Sequence, residues 1–248
     1  MNKEQKLQEE AYEFPYHYIP NALDDNFVQH VHWAWGFRYL GGINVVKNIC
    51  LNHKCDSLLD IGCGDGRFLR EMSSINKNIK MMGIDYSQRA ISFASAFNPN
   101  IDYRVIDITK ENLRNEKFDI VTLIEVIEHI KPSELDNFIN NALSLVKDDG
   151  TLIITVPHVN EKLNKKHFQH FSQSKLMDLF VNYGYNIEFI QFDSKSIIIR
   201  LLYRLIGGNG KWFVLSYKPL LKLFYKIYIK HYLYTKNEKS CMRIACIV

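Results

Sequence analysis

Gly62, Gly64 and Gly66 in LLDIGCGDGRFL (58–69) stand where an apolar run gives way to a helical pattern. Glycine lets the backbone turn tightly and lets a ligand come close. The spacing is G-x-G-x-G, not the G-x-G-x-x-G of dinucleotide sites, and Asp60 lies inside the preceding run. A carboxylate below the loop suits a cationic ligand better than a pyrophosphate. Asp85 ends the next apolar run, 25 residues on. There it can accept hydrogen bonds from both hydroxyls of a ribose. Asp107 ends the run after that and could take an adenine amine.

Two further clusters carry bases and metal ligands. In EVIEHI (125–130), a helical chain would put Glu125, Glu128 and His129 at i, i+3 and i+4, on one face. Two carboxylates and an imidazole can bind a divalent cation; equally, Glu128 and His129 can cap and solvate a helix start. In HFQHF (167–171), His167 and His170 are three apart and share a face on a helical turn. An imidazole is a suitable general base for a hydroxyl; the competing view is a surface pair flanking buried Phe168 and Phe171. Tyr16, His17 and Tyr18 form a third, weaker group in an aromatic segment that could fold over the site as a lid.

The elements that must position these residues follow from hydrophobic periodicity. SLLDI (57–61), KMMGID (80–85), IDYRVID (101–107), FDIVTLI (118–124) and TLIITV (151–156) read as buried strands. Helices are predicted from Gly66 to Ile75, from an N-cap at Ser87 to Ala96, and from Pro132 to about Val146. Asp149-Gly150 is expected to turn the chain into the fifth strand. Strands apolar on both faces and separated by helices imply a parallel, doubly wound α/β sheet. Ligands of such sheets bind beyond the carboxyl ends of the strands, where the glycine loop, Asp85 and Asp107 all fall. A helix (173–183) and the strands YNIEFIQF (185–192) and CMRIACIV (241–248) follow.

The division expected is an aromatic N-terminal cover (1–55), a core (56–193), a basic helical insert (194–239) and a final core strand (240–248). Ser194 to Asn237 contains no Asp or Glu and nine Lys or Arg. Within it, Lys218, Lys222, Lys226 and Lys230 recur every four residues among Leu, Ile, Phe and Tyr, a pattern suited to a membrane interface or to docking on the domain.

Composition sets the outer bounds. The chain has 248 residues, 47% hydrophobic and 23% charged, which excludes disorder and collagen. A net charge of +4 is too small to argue for nucleic acid. Five cysteines without a C-x-x-C pair indicate reduced thiols rather than a zinc ribbon. Neither a secretory signal nor a membrane-spanning run is visible, so a cytoplasmic protein is expected, peripheral at the inner membrane face if the insert binds lipid.

The series LLDIGCGDGRFL, MMGIDYS, YRVIDIT, FDIVTLIEVIEHI and GTLIITVP resembles the motifs of class I S-adenosylmethionine-dependent methyltransferases. The resemblance covers roughly residues 56–190. It implies a Rossmann-like seven-stranded sheet with an antiparallel last strand, a helical cover and an insert before that strand. It implies S-adenosylmethionine as cofactor, held by Asp60, Gly62, Cys63, Gly64, Asp85, Tyr86, Asp107, Ile108 and Glu125. The function expected is O-methylation of a small-molecule, glycan or lipid-linked acceptor with His167 or His170 as base. Peripheral membrane contact through 197–234 is expected with the lipid-linked case. The alternative is a metal-assisted RNA 2′-O-methyltransferase using Glu125, Glu128, His129 and a later His. Small-RNA enzymes continue with Phe-x-Trp-Thr-Arg where this chain has FSQSKLMDLF, which argues against nucleic acid. A non-catalytic cofactor-binding or membrane-adaptor domain is the other class of reading.

Overall fold

A computed structural model describes residues 33–110, 113, 116–207 and 213–248, together with Lys6 and the stretches 21–23 and 26–28. The aromatic segment 14–20, with Tyr16, His17 and Tyr18, lies outside the described residues.

Among the described residues, seven strands form one sheet: β3 (Ser57–Ile61), β4 (Lys80–Asp85), β5 (Asp102–Val105), β6 (Phe118–Ile124), β7 (Val146–Pro157), β8 (Glu188–Ser194) and β9 (Cys241–Ile247). Their order is β5-β4-β3-β6-β7-β9-β8. The first five strands in sequence are mutually parallel, and β9 runs antiparallel between β7 and β8. A separate two-stranded pair, β1 (Asn21–Leu23) and β2 (Asn26–Val28), precedes them.

Helices cover both sheet faces because β3 is apolar on both. Leu59 and Ile61 join a core with Leu135, Phe138 and Ile139 of α4 (Pro132–Ser144) and Leu176 and Phe180 of α5 (Gln173–Phe180). Leu58 faces the other way. It packs with Val45 and Val46 of α1 (Trp33–Leu51), Phe68, Leu69 and Met72 of α2 (Arg67–Ile75), and Leu221 and Tyr228 of α7 (Lys218–His231). Two further helices among the described residues are α3 (Gln88–Phe97) and α6 (Ile197–Leu205). Ser87 caps α3, its Oγ accepting from the Ala90 N–H at 3.2 Å.

Two local expectations change. Asp149-Gly150 does not turn into β7: the strand already starts at Val146, and a register shift between Phe118 and Ile120 absorbs the extra residues. A Cβ at Gly150 would lie 2.8 Å from a Val146 methyl, so the bulge needs glycine. The Lys218, Lys222, Lys226 and Lys230 row of α7 is exposed, while Tyr228 is buried beside Phe37 and Tyr225. The lysines are thus the solvated edge of a helix docked on α1. All five cysteines are free, and all but Cys55 are buried.

Candidate active site

The glycine loop leaves β3 under tight steric limits. Gly62 has φ +73°, and a Cβ there would sit 2.6 Å from a Val126 methyl. Only glycine takes that conformation without strain. The N–H groups of Gly62 and Cys63 donate to the Ile84 carbonyl at 2.8 and 3.0 Å, which ties the loop to the end of β4. The Gly64 N–H donates to Asp85 Oδ2 at 3.0 Å, and the Ser87 N–H to Asp85 Oδ1 at 2.9 Å. Asp85 is therefore fixed beside the loop at the carboxyl edge of the sheet, with half-buried Tyr86 after it.

Asp60 is buried in mid-strand and accepts a hydrogen bond from the Thr122 hydroxyl at 2.7 Å. Burial pushes its pKa up to about 7, aided by the Asp85 charge and opposed by the Thr122 bond. Asp107 accepts from the Thr109 hydroxyl at 2.6 Å and from Lys110 at 2.5 Å. Burial works against its ionisation, but Lys110 and Thr109 outweigh burial and hold the carboxyl below its usual range. Ile108 is buried in the core, and its carbonyl accepts from Asn141 at 2.6 Å.

The EVIEHI segment does not form the expected helix. Glu125 takes φ +56°, and only a 3-10 turn, Ile127–His129, follows. Glu125 thereby leaves the proposed Glu125, Glu128 and His129 face, and its Oε2 accepts from Arg243 at 3.0 Å. His167 joins Glu128 and His129 instead, with potential ligand atoms within 4.8 Å of one another. The loop before α5 is clamped onto the turn: the Phe168 N–H donates to the Glu128 carbonyl at 2.8 Å, and His129 Nδ1 meets the Lys166 carbonyl at 2.9 Å.

His167 and His170 are likewise not side by side on a helix. They meet tip to edge in an irregular loop, His167 Nδ1 to His170 Nε2 at 2.9 Å. His170 Nδ1 contacts the Glu161 carbonyl at 3.1 Å. A carbonyl only accepts, so in neutral rings His170 Nδ1 and His129 Nδ1 carry the protons. His170 Nε2 then accepts from His167 Nδ1, and lone pairs remain on His167 Nε2 and His129 Nε2. Burial pulls the His167 pKa down to about 3, with His129, His170 and Arg243 adding to it. Burial also lowers His129 and raises Glu128 well above the carboxylate range, with help from the Glu125 charge.

These residues line a cavity of about 530 Å³, walled on another side by Trp35 and Tyr39, whose rings stack at 4.8 Å. Behind it lies a charge cluster of which the motif series contains only Glu125. Arg243 on β9 reaches Glu125 at 3.0 Å, Asp193 at 2.9 Å and Glu161 at 3.6 Å, and Arg38 of α1 reaches Asp193 at 2.9 Å. Burial alone would lower the Arg243 pKa, but Glu125, Asp193 and Glu161 raise it above the ordinary guanidinium value. One signal could have found it: Arg243 is the single charged residue in the apolar strand CMRIACIV. Among the described residues, Glu125 Oε1, Glu128 Oε2 and Glu161 Oε2 are buried and accept no hydrogen bond, although all three side chains line the cavity.

A family model described as a methyltransferase domain matches residues 46–189. A putative methyltransferase, 235L, of Invertebrate iridescent virus 6 is 27% identical over 168 residues, 63% of this chain and 59% of the relative. A ubiquinone biosynthesis O-methyltransferase of Bartonella tribocorum is 35% identical over 103 residues, 39% of each chain. The chain thus spans less than two thirds of both curated relatives. The solved N-methyltransferase NodS of Bradyrhizobium japonicum, in complex with S-adenosylhomocysteine, superposes with a TM-score of 0.60 at 18% identity, covering 79% of this chain and 93% of that one. A SAM-dependent methyltransferase from Archaeoglobus fulgidus gives 0.59 at 19% identity, covering 85% and 93%. At such identities the superpositions establish the fold.

Proposed function

Because the chain belongs to the methyltransferase-domain family, within the class I enzymes that use S-adenosylmethionine, we propose that it methylates a hydroxyl oxygen of a small-molecule, glycan or lipid-linked acceptor held in this cavity. The carrying observation is the pair of buried carboxyl oxygens, Glu125 Oε1 and Glu128 Oε2, that line the cavity without a hydrogen-bond partner, Glu161 Oε2 lying 3.6 Å from Arg243 instead. A buried acceptor left unmatched costs about 1–3 kcal/mol. A ligand rich in O–H donors removes that cost, and one of its oxygens can face the sulfonium methyl in line. His167 takes the hydroxyl proton on Nε2, while His170 and the Glu161 carbonyl fix its tautomer.

The cofactor half rests on Asp60, Gly62, Cys63, Gly64, Asp85, Tyr86, Asp107 and Ile108. Asp85 offers its carboxylate to the ribose. Asp107 and Ile108 take the adenine, which requires exposed Lys110 to swing off the carboxylate. Calorimetry with S-adenosylmethionine tests this directly. Asp85→Ala is expected to weaken binding by about 1–3 kcal/mol through lost charged hydrogen bonds; unchanged affinity overturns the ribose assignment.

Asp60 gives the pH dependence. The cofactor carries positive charge and favours the carboxylate form, which Asp60 reaches only as pH rises through about 7. Affinity is therefore expected to be about eightfold weaker at pH 6 than at pH 7.5, following the ionised fraction. Asp60→Asn should flatten this profile, and a flat profile in the unaltered protein removes Asp60 from the cofactor site.

The lone pairs favour a second reading of the same reaction. Neutral His129 has its unprotonated Nε2 3.9 Å from Glu128 Oε1, and a ring nitrogen of His167 lies within 4.8 Å of a ligand atom on each. This donor set suits a divalent cation, while His167 is a weak base as it stands. Such an ion would lower the pKa of an acceptor hydroxyl. Turnover lost on chelation and restored by Mn²⁺ or Mg²⁺ selects this reading; indifference to chelation selects His167 as base.

A further inference from the structure

We propose that the outer face of α6 docks on an anionic phospholipid surface. The face is built on one helix. Ile197, Ile198, Leu201 and Leu205 are 71%, 59%, 50% and 66% exposed, and only Ile199 is buried. At about 100° per residue these four side chains span about 100° of the helix circumference. Arg200 and Arg204, both exposed, fall beside that arc. On the loop after α6, Phe213 and Tyr217 add exposed aromatic surface, 52% and 63%. The Leu215 N–H bonds the Ile206 carbonyl, which keeps this loop beside the end of α6.

Apolar side chains edged by arginine and lysine sink to the boundary of headgroup and acyl chain, and anionic lipids supply the matching charge. The surrounding sequence favours that partner over a protein of mixed charge: residues 194–237 contain nine Lys or Arg and no acid. The apolar element differs from the sequence expectation. Leu221, Tyr225 and Tyr228 of α7 are spent on the core shared with α1, and Leu223 alone among its leucines is exposed, so α7 contributes mainly lysines and α6 contributes the inserting face.

The face is held on a fixed support. Trp33 Nε1 of α1 donates to the Leu215 carbonyl at 2.6 Å, and Phe37 of α1 packs edge-on against Tyr203 of α6 at 6.2 Å. Docking is independent of the methyl-transfer reading, because no residue of α6 lines the cavity.

Co-sedimentation of the full chain tests it, with vesicles of phosphatidylcholine alone and of two parts phosphatidylcholine to one part phosphatidylglycerol. Binding at least about tenfold stronger to the anionic vesicles, and weakened by salt, is expected. Replacing Ile197, Ile198, Leu201 and Leu205 together by Ser should reduce binding to background, and Arg200→Glu with Arg204→Glu should abolish the preference for anionic lipid. S-adenosylmethionine affinity, measured on the same samples, should be unchanged in both variants, which certifies their folding. The proposal is overturned if the unaltered chain binds neither vesicle, or if the serine variant binds as well as it does. It is also overturned if the unaltered chain is a dimer that the serine variant converts to monomer, since the face is then a subunit contact. Failure to bind cofactor would sink the methyl-transfer reading and leave the vesicle result standing.

Discussion

Arg243→Met is expected to cost about 2–4 kcal/mol of stability, somewhat below the range for removing one partner of a fully buried ion pair, because Arg243 and Glu125 are half-buried and only Asp193 is fully buried. In a chain of this size that lowers the melting temperature by about 10 °C. The magnitude follows from what the guanidinium leaves behind. Glu125, Asp193 and Glu161 all face Arg243, and Asp193 is 3% exposed. Arg38 still reaches Asp193 and Glu161 after the change, but Glu125 has no second cation among the described residues. The compensating variant follows: Glu125→Gln in the Arg243→Met background should recover about 1–2 kcal/mol by removing the stranded charge. Thermal unfolding of the single and double variants reads both numbers. A loss below about 1 kcal/mol for Arg243→Met would mean that water already screens the cluster and that it is not the rigid back wall of the cavity.

The parts legible in the sequence are those set by local rules. A buried run, a glycine turn and an amphipathic helix repeat through the first half of the chain, so β3, β4 and β6 and the Ser87 cap fall where periodicity places them. Asp85 was legible for the same reason, since its place at a strand end is itself a local property. The cavity wall was not. Arg38, Glu125, Glu161, Asp193 and Arg243 come from five separate elements and meet only because β9 inserts between β7 and β8. Spacing also misled where the backbone leaves regular structure. Glu125, Glu128 and His129 share a face on an α-helix, yet the positive φ at Glu125 turns one carboxylate toward Arg243 and the other toward the histidines. His167 and His170 are three apart in either conformation, but only the irregular loop lets one ring donate to the other. The α7 lysine stripe was visible without saying which side it would face, because an amphipathic pattern specifies a buried face and not what buries it.

His167→Ala is expected to lower turnover about 10²–10⁴-fold with cofactor affinity unchanged, the range for losing a positioned proton acceptor. The residue stands at the end of a relay that leaves one lone pair free on a ring lining the cavity: the Glu161 carbonyl orients His170, and His170 orients His167. His170→Ala should therefore cost less than His167→Ala, because it removes the orienting group and keeps the acting one. S-adenosylhomocysteine release in the presence of a productive acceptor measures both, with calorimetry on the same samples for the cofactor. The two readings of His167 separate on a second readout. If it acts as a base, Mn²⁺ binding followed by electron paramagnetic resonance is absent in both the unaltered protein and the variant. If it acts as a ligand with Glu128 and His129, the unaltered protein binds Mn²⁺, and His167→Ala and Glu128→Gln both abolish that binding. Full turnover in both histidine variants would remove the loop from the chemistry altogether. The acceptor proton would then leave to water, and the buried histidines would serve only to hold the Glu128 turn against the loop before α5.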